Sequence, residues 1–161
     1  MDKLYEDSET GCCQRFDPAP WNEKEIELTN RIFIKDRVFG IFHIPLNFGQ
    51  VIVRNMEKIK KADALTKTAF MLSDENSLFG SDIYIEVSKN VPETNIVHVP
   101  GKFLTKVFEG HYSKMGEWIK EMEKYVQAKG KKMKKMYFFY TTCPKCAKYY
   151  GKNYVVILAG I

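Results

Sequence analysis

RVFGIFHIPLNFGQVIVRNMEKIKK, residues 37–61, reads as a strand running into an amphipathic helix, and GKFLTKVFEGHYSKMGEWIKEMEKYVQAKG, residues 101–130, reads as the same pair again. Each is followed by two more apolar runs. After the first come TAFMLSD (68–74) and SDIYIEVS (81–88); after the second come KKMYFFYTT (134–142) and NYVVILAGI (153–161). Sliding the chain along itself by 66 positions lays Met56-Glu57-Lys58 on Met122-Glu123-Lys124 and Phe42 on Phe108. The expected fold is therefore α+β. It consists of duplicated β-α-β-β modules with pseudo-twofold symmetry, a mostly antiparallel sheet and two main helices on one face. A seam between two such modules is a common place for a pocket.

The periodicities support the two helices. In the first, Phe48, Val51, Ile52, Met56 and Ile59 recur at three- and four-residue steps and make one apolar stripe, with Lys58, Lys60 and Lys61 at the far end where the helix dipole favours cations. In the second, Met115, Trp118, Ile119, Met122, Tyr125 and Val126 form the stripe. Gly130 stops that helix and Ser113 is a candidate cap. In the strand 38–44, apolar side chains fall on both faces, so both are expected to be covered. SDENSLFGSD (73–82) is expected as a polar turn joining two strands, and VPETNIVHVPG (91–101) as an extended connection. Residues 1–31 show no sustained period and are read as an N-terminal arm packing through Phe16 and Trp21. Residues 32–161 form the domain, with module one at 32–92 and module two at 93–161.

The chain has 161 residues, 45% of them hydrophobic and 14% aromatic, which suits one domain or two small modules. The net charge of +5 is modest, and its one concentration, KGKKMKK (129–135), sits at a helix end where lysine is ordinarily solvated. No nucleic-acid partner is expected, because no recognition-helix pattern or zinc-finger spacing accompanies those lysines. No run of 18 apolar residues exists and the start is acidic, so neither a membrane span nor a secretory signal is expected. The expected location is the cytoplasm, where thiols stay reduced.

The stretch FEGHYSKMGEWIKEMEKYVQAKG (108–130) carries a resemblance. Gly110, Tyr112, Trp118 and Gly130 stand where the GyrI-like small-molecule-binding family has a Gly-x-Tyr strand end, an aromatic near the second helical turn and a glycine stop. In FFYTTCP (138–144), Tyr140 and Pro144 match that family's next strand, and Phe138 replaces its acid. The likeness covers about residues 32–161. It implies a pocket for flat, aromatic or amphipathic compounds and a stand-alone member, similar to the cyclopropanoid cyclopropyl hydrolases, that works within a cage of rings. Phe42, Phe108, Tyr112, Trp118, Phe138 and Tyr140 are then the expected ligand-binding set. Period-two geometry puts Phe138 and Tyr140 on one strand face and Tyr137 and Phe139 on the other.

Glu86, flanked by Ile85 and Val87, is the best acid on offer and, with Tyr140, the candidate for catalysis. Its competing assignment is the wet face of an edge strand with Tyr84. His43, His98 and His111 complete the bases, and no Ser-His-Asp or Cys-His set is legible, so water is expected to attack directly. Cys143-Pro-Lys-Cys146 has the two-residue gap that wraps a tetrahedral metal, and Cys12 and Cys13 could complete four thiolates around a structural zinc. Reduced structural thiols are one alternative; a thioredoxin-like redox pair is another, disfavoured because such pairs sit at a helix start in a βαβ setting that this pattern lacks, and no cofactor is required. Three functions stay open: a hydrolase of electrophilic aromatic xenobiotics, a non-catalytic sensor or sequestering protein for hydrophobic ligands, and a zinc-stapled interaction module. In the first two the partner is a hydrophobic or aromatic small molecule.

Overall fold

The computed structural model describes residues 8–41, 44–68 and 70–161, with the backbone alone at 44, 45, 76 and 144. The fold is α+β. The chain divides into two compact units: Met1–Glu27, Lys67–Ala69 and Gly101–Ile161 form one, and Leu28–Thr66 with Phe70–Pro100 form the other.

In the second unit, β2 (Ile32–Ile41) is followed by the short β3 (Ile44–Pro45), α1 (Phe48–Lys61), β4 (Met71–Ser77), β5 (Gly80–Val87) and β6 (Ile96–His98). β2 and β5 pair antiparallel from Ile32↔Val87 to Phe39↔Gly80, and β4 pairs antiparallel with β5. β6 and β3 share the other edge of β2. Val51 and Ile59 of α1 are buried against Ile34, Val38, Ile83 and Ile85, with Ile52 and Met56 beside them, while Phe48, the first expected member of the stripe, is exposed in the opening turn.

In the first unit, β1 (Lys24–Glu27) is followed by β7 (Lys102–Glu109), a 3-10 turn (Tyr112–Lys114), α2 (Met115–Ala128), β8 (Lys135–Tyr140), α3 (Pro144–Tyr150) and β9 (Tyr154–Gly160). The antiparallel order is β1-β7-β9-β8. Both units thus run strand, helix, strand, strand, and in both the last strand pairs with the first and the third. Helix α2 begins 67 residues after α1 (115 against 48), one more than the best sequence slide. Trp118, Met122 and Val126 of α2 are buried on Leu104, Phe108, Phe138, Val155 and Ile157. Phe139, on the opposite strand face, meets Phe16 and Trp21 of the arm at 5.9 and 5.5 Å between ring centroids. The arm also pairs through β1 with β7, from Lys24↔Thr105 to Glu27↔Lys102.

Several local expectations are corrected. The 73–82 segment is not a long turn: β4 continues to Ser77, and Leu78–Phe79 alone make the bend. Its polar side chains tolerate a strand because backbone pairing with β5, not side-chain polarity, sets the conformation. Only one face of the β2 end is covered: Val38 is buried, but Phe39 is 62% exposed. The 91–101 connection is extended at β6, as expected, and there it also pairs with β2. Cys143 stands at the N-cap position of α3, without a side-chain capping bond, and Cys146 lies within that short helix, which Pro144 opens. Ser113 does not cap α2; instead the His111 ring accepts from the Ser113 amide at the start of the 3-10 turn.

Candidate functional site

The expected ring set divides by burial. Phe108 and Trp118 stack at 5.7 Å between centroids and Phe138 stacks on Tyr140 at 6.1 Å, all on the α2 side of the sheet. Phe108, Trp118 and Phe138 are each about 5% exposed and packed among aliphatic neighbours, so they are core first. Tyr112 and Tyr140 are the more accessible members, in edge contact at 5.7 Å. The Tyr112 hydroxyl donates to Asn153 Oδ1 at 3.3 Å, and Asn153 Nδ2 donates back to the Gly110 carbonyl at 2.7 Å. Burial pushes the Tyr112 hydroxyl pKa up, and the neighbouring Cys143 charge adds to the rise. Gly110 has φ of +138°, a conformation that favours glycine, while a Cβ there would make only ordinary contact with the Trp118 ring at 3.5 Å. Phe42 and His43 lie outside the described residues.

Glu86 belongs to the other unit. It sits on β5 opposite Phe33, and its carboxylate accepts from Arg31 at 3.0 Å with its side chain 12% exposed. Burial raises its pKa, and the Arg31 cation offsets part of that rise. Tyr84, its expected partner on a wet face, is buried. Also in that unit, a cavity of about 340 Å³ is lined by Asp36, Arg54, Asn55, Lys58 and Glu93, among others. Its polar groups largely satisfy one another: Asp36 accepts from Arg54 at 2.7 Å and Asn55 at 2.8 Å, and Lys58 donates to the Glu93 carbonyl at 3.0 Å. Burial alone would raise the Asp36 pKa, but those two bonds and the Arg37 amide outweigh it and hold the carboxyl low.

A second cavity, of about 220 Å³, lies within the first unit. Its lining is Arg15, Phe16, Thr142, Tyr150, Lys152 and Tyr154. Phe16 approaches Tyr154 at 5.6 Å between centroids, and the Arg15 guanidinium lies 4.6 Å from the Tyr150 centroid. Glu9 holds Arg15 through two hydrogen bonds of 3.1 Å. Among the described residues, Thr142 Oγ1 is a buried side-chain oxygen with no hydrogen-bond partner. A buried, unpaired hydroxyl costs about 1–3 kcal/mol. Sequence reasoning missed this set because its members come from the arm, the β8–α3 junction and the start of β9. The Phe16 expectation was the one local hint.

The four cysteines do meet. The Sγ atoms of Cys12, Cys13, Cys143 and Cys146 all lie within 4.8 Å of one another, and all four are free thiols. Burial raises the Cys12 and Cys13 thiols. Cys146 goes the other way: burial pushes it up, but hydrogen bonds from Thr10, Cys143 and Cys13 bring it to about 7.

Among the described residues no helix is long and apolar enough to cross a membrane. No curated protein matches the chain. A family described as bacterial hydrolase matches residues 3–161, which includes the arm and all four cysteines as well as both β-α-β-β units. The chain belongs to the bacterial hydrolase family.

Proposed function

We propose that this chain hydrolyses small electrophilic aromatic compounds in the cavity between Phe16, Tyr150 and Tyr154. The observation that carries the reading is a single hollow lined by three aromatic rings, two cations and Thr142, whose hydroxyl is buried without a partner. An aromatic ring gains burial and edge or face contacts from the three rings, about 0.5–1.5 kcal/mol for each beyond area. Arg15 and Lys152 favour an oxygen that carries or develops negative charge, and Thr142 Oγ1 donates to it. Water supplies the nucleophile: its oxygen bonds to the electrophilic carbon, the bond to the leaving group breaks with its electron pair, and the water proton ends on the leaving group. At about 220 Å³ the hollow is smaller than the roughly 300–1,000 Å³ of drug-sized sites, so it takes one ring, or the ring end of a larger compound. The family membership supports the reaction class, and the β-α-β-β order of both units supports the GyrI-like relationship.

A second reading places the ligand on Tyr112 and Tyr140, with Phe108, Trp118 and Phe138 as the buried backing of the expected cage. The edge contact of the two tyrosines favours it. Glu86 has no step in either reading, because its carboxylate is engaged with Arg31.

The two readings separate by mutation. The purified chain is assayed with p-nitrophenyl acetate, p-nitrophenyl phosphate and a cyclopropane-bearing polycycle, with products followed by absorbance and mass spectrometry. Turnover should fall about 100-fold in Thr142→Val, as for loss of one oxyanion donor. Tyr112→Phe should leave it intact. The opposite pattern selects the tyrosine face, and binding without turnover by any probe leaves a sequestering protein.

A further inference from the structure

We propose that Cys12, Cys13, Cys143 and Cys146 form a tetrathiolate zinc site that fastens the N-terminal arm to helix α3. Four thiols converge from two segments some 130 residues apart, and each offers one sulfur to a common centre. A tetrahedral zinc with sulfurs at about 2.3 Å has S···S edges of about 3.8 Å. The Cys12–Cys13 separation is 3.7 Å, an edge of that size, and the remaining separations stay under 4.8 Å. A disulfide needs about 2.05 Å, so the Cys12–Cys13 pair has the spacing of two ligands and not of a bond.

The local backbone explains how adjacent cysteines reach one centre. Thr10 Oγ1 accepts from the Cys12 and Cys13 amides, each at 3.3 Å, and the intervening Gly11 has φ of +79°. This tight turn sets both thiols toward α3. The second layer of contacts is in place too. The Thr10 hydroxyl lies 3.2 Å from Cys146 Sγ, and the Cys143 amide donates to Cys13 Sγ at 3.4 Å. Ser8 Oγ and the Tyr150 hydroxyl both donate to the Cys13 carbonyl, at 2.8 and 2.5 Å. Such outer contacts orient ligands in metal centres. Four thiolates in a tetrahedral set suit zinc or iron, and a site whose positions are all filled by protein is structural, not catalytic.

The inference is independent of the substrate reading, since metal content is measured without any substrate, but it bears on it. The same staple holds Arg15 and Phe16 next to Tyr150, so the metal would help to build the cavity.

The test uses the full chain, purified in reducing buffer and analysed by inductively coupled plasma mass spectrometry. One equivalent of zinc per chain is expected. Chelator-treated protein given cobalt should develop the thiolate-to-metal charge-transfer and visible bands of a tetrahedral sulfur site. Cys146→Ser should lose stoichiometric zinc. Because that variant removes a buried group, Cys12→Ser at the exposed position and Thr10→Val provide milder tests. Thr10 is a positioning residue, and Thr10→Val should weaken zinc affinity about 10–100-fold with the circular dichroism retained. Zinc below half an equivalent after reconstitution, stoichiometric iron instead, or a disulfide linking any two of the four would overturn the assignment.

Discussion

Trp118 projects from α2 with its indole stacked on Phe108, in the buried cluster that also holds Met122 and Val126. Truncation to alanine would leave a cavity among residues that cannot fully collapse, so Trp118→Ala should cost about 3–5 kcal/mol in urea denaturation. A change below 1 kcal/mol would show that the ring is not core. The two half-buried carboxylates Glu86 and Asp36 titrate with opposite sign. The Glu86 pKa is raised on folding, so its contribution is fullest at acid pH and is lost as pH rises through the folded pKa. The Asp36 pKa is lowered, so its contribution is present at neutral pH and is lost as pH falls through the folded value. Between acid and neutral pH the stability advantage of the natural chain over Glu86→Gln should therefore shrink, and that over Asp36→Asn should grow. Denaturation curves at several pH values check both, and parallel pH profiles would refute the assigned shifts.

Among the elements, the β4–β5 hairpin has the tightest geometric requirement. A Cβ on Gly80 would stand 2.5 Å from the Val38 carbonyl oxygen, which is held in the β2–β5 ladder. Backbone cannot yield as a flexible side chain does, so Gly80→Ala should destabilise by about 1–3 kcal/mol. The loss should appear as faster amide exchange in β4 and β5, and unchanged exchange there would mean that the ladder gives way at no cost. Helix α3 shows why some elements escape sequence reading. Its seven residues are too few for an apolar period, and TTCPKCAKYY carries turn and metal signals at once. Helices α1 and α2 were legible because fourteen residues repeat the period about four times.

At the scale of the molecule, each unit has its own buried cluster, and the arm is assigned to the unit built from the C-terminal half. Deleting residues 1–27 removes β1, one of the two strands paired with β7, and the Phe16 and Trp21 rings on Phe139. Hydrogen exchange should then accelerate in β7, β8 and β9 while β2 and β5 keep their protection. Equal acceleration in both units would show that the arm stabilises the chain as a whole.

The succession of elements within each repeat, most of the stripe of each helix and the two-faced pattern of 137–140 were set by the sequence alone, because each depends on spacings of two to four residues along one segment. Tertiary structure decided the rest. It put Phe108, Trp118 and Phe138 into a core, tied Glu86 to Arg31, left Thr142 Oγ1 unpaired, and brought Cys12 and Cys13 to Cys143 and Cys146. These outcomes depend on which distant segments share a surface, and local periodicity says only that a face is apolar, not what will cover it.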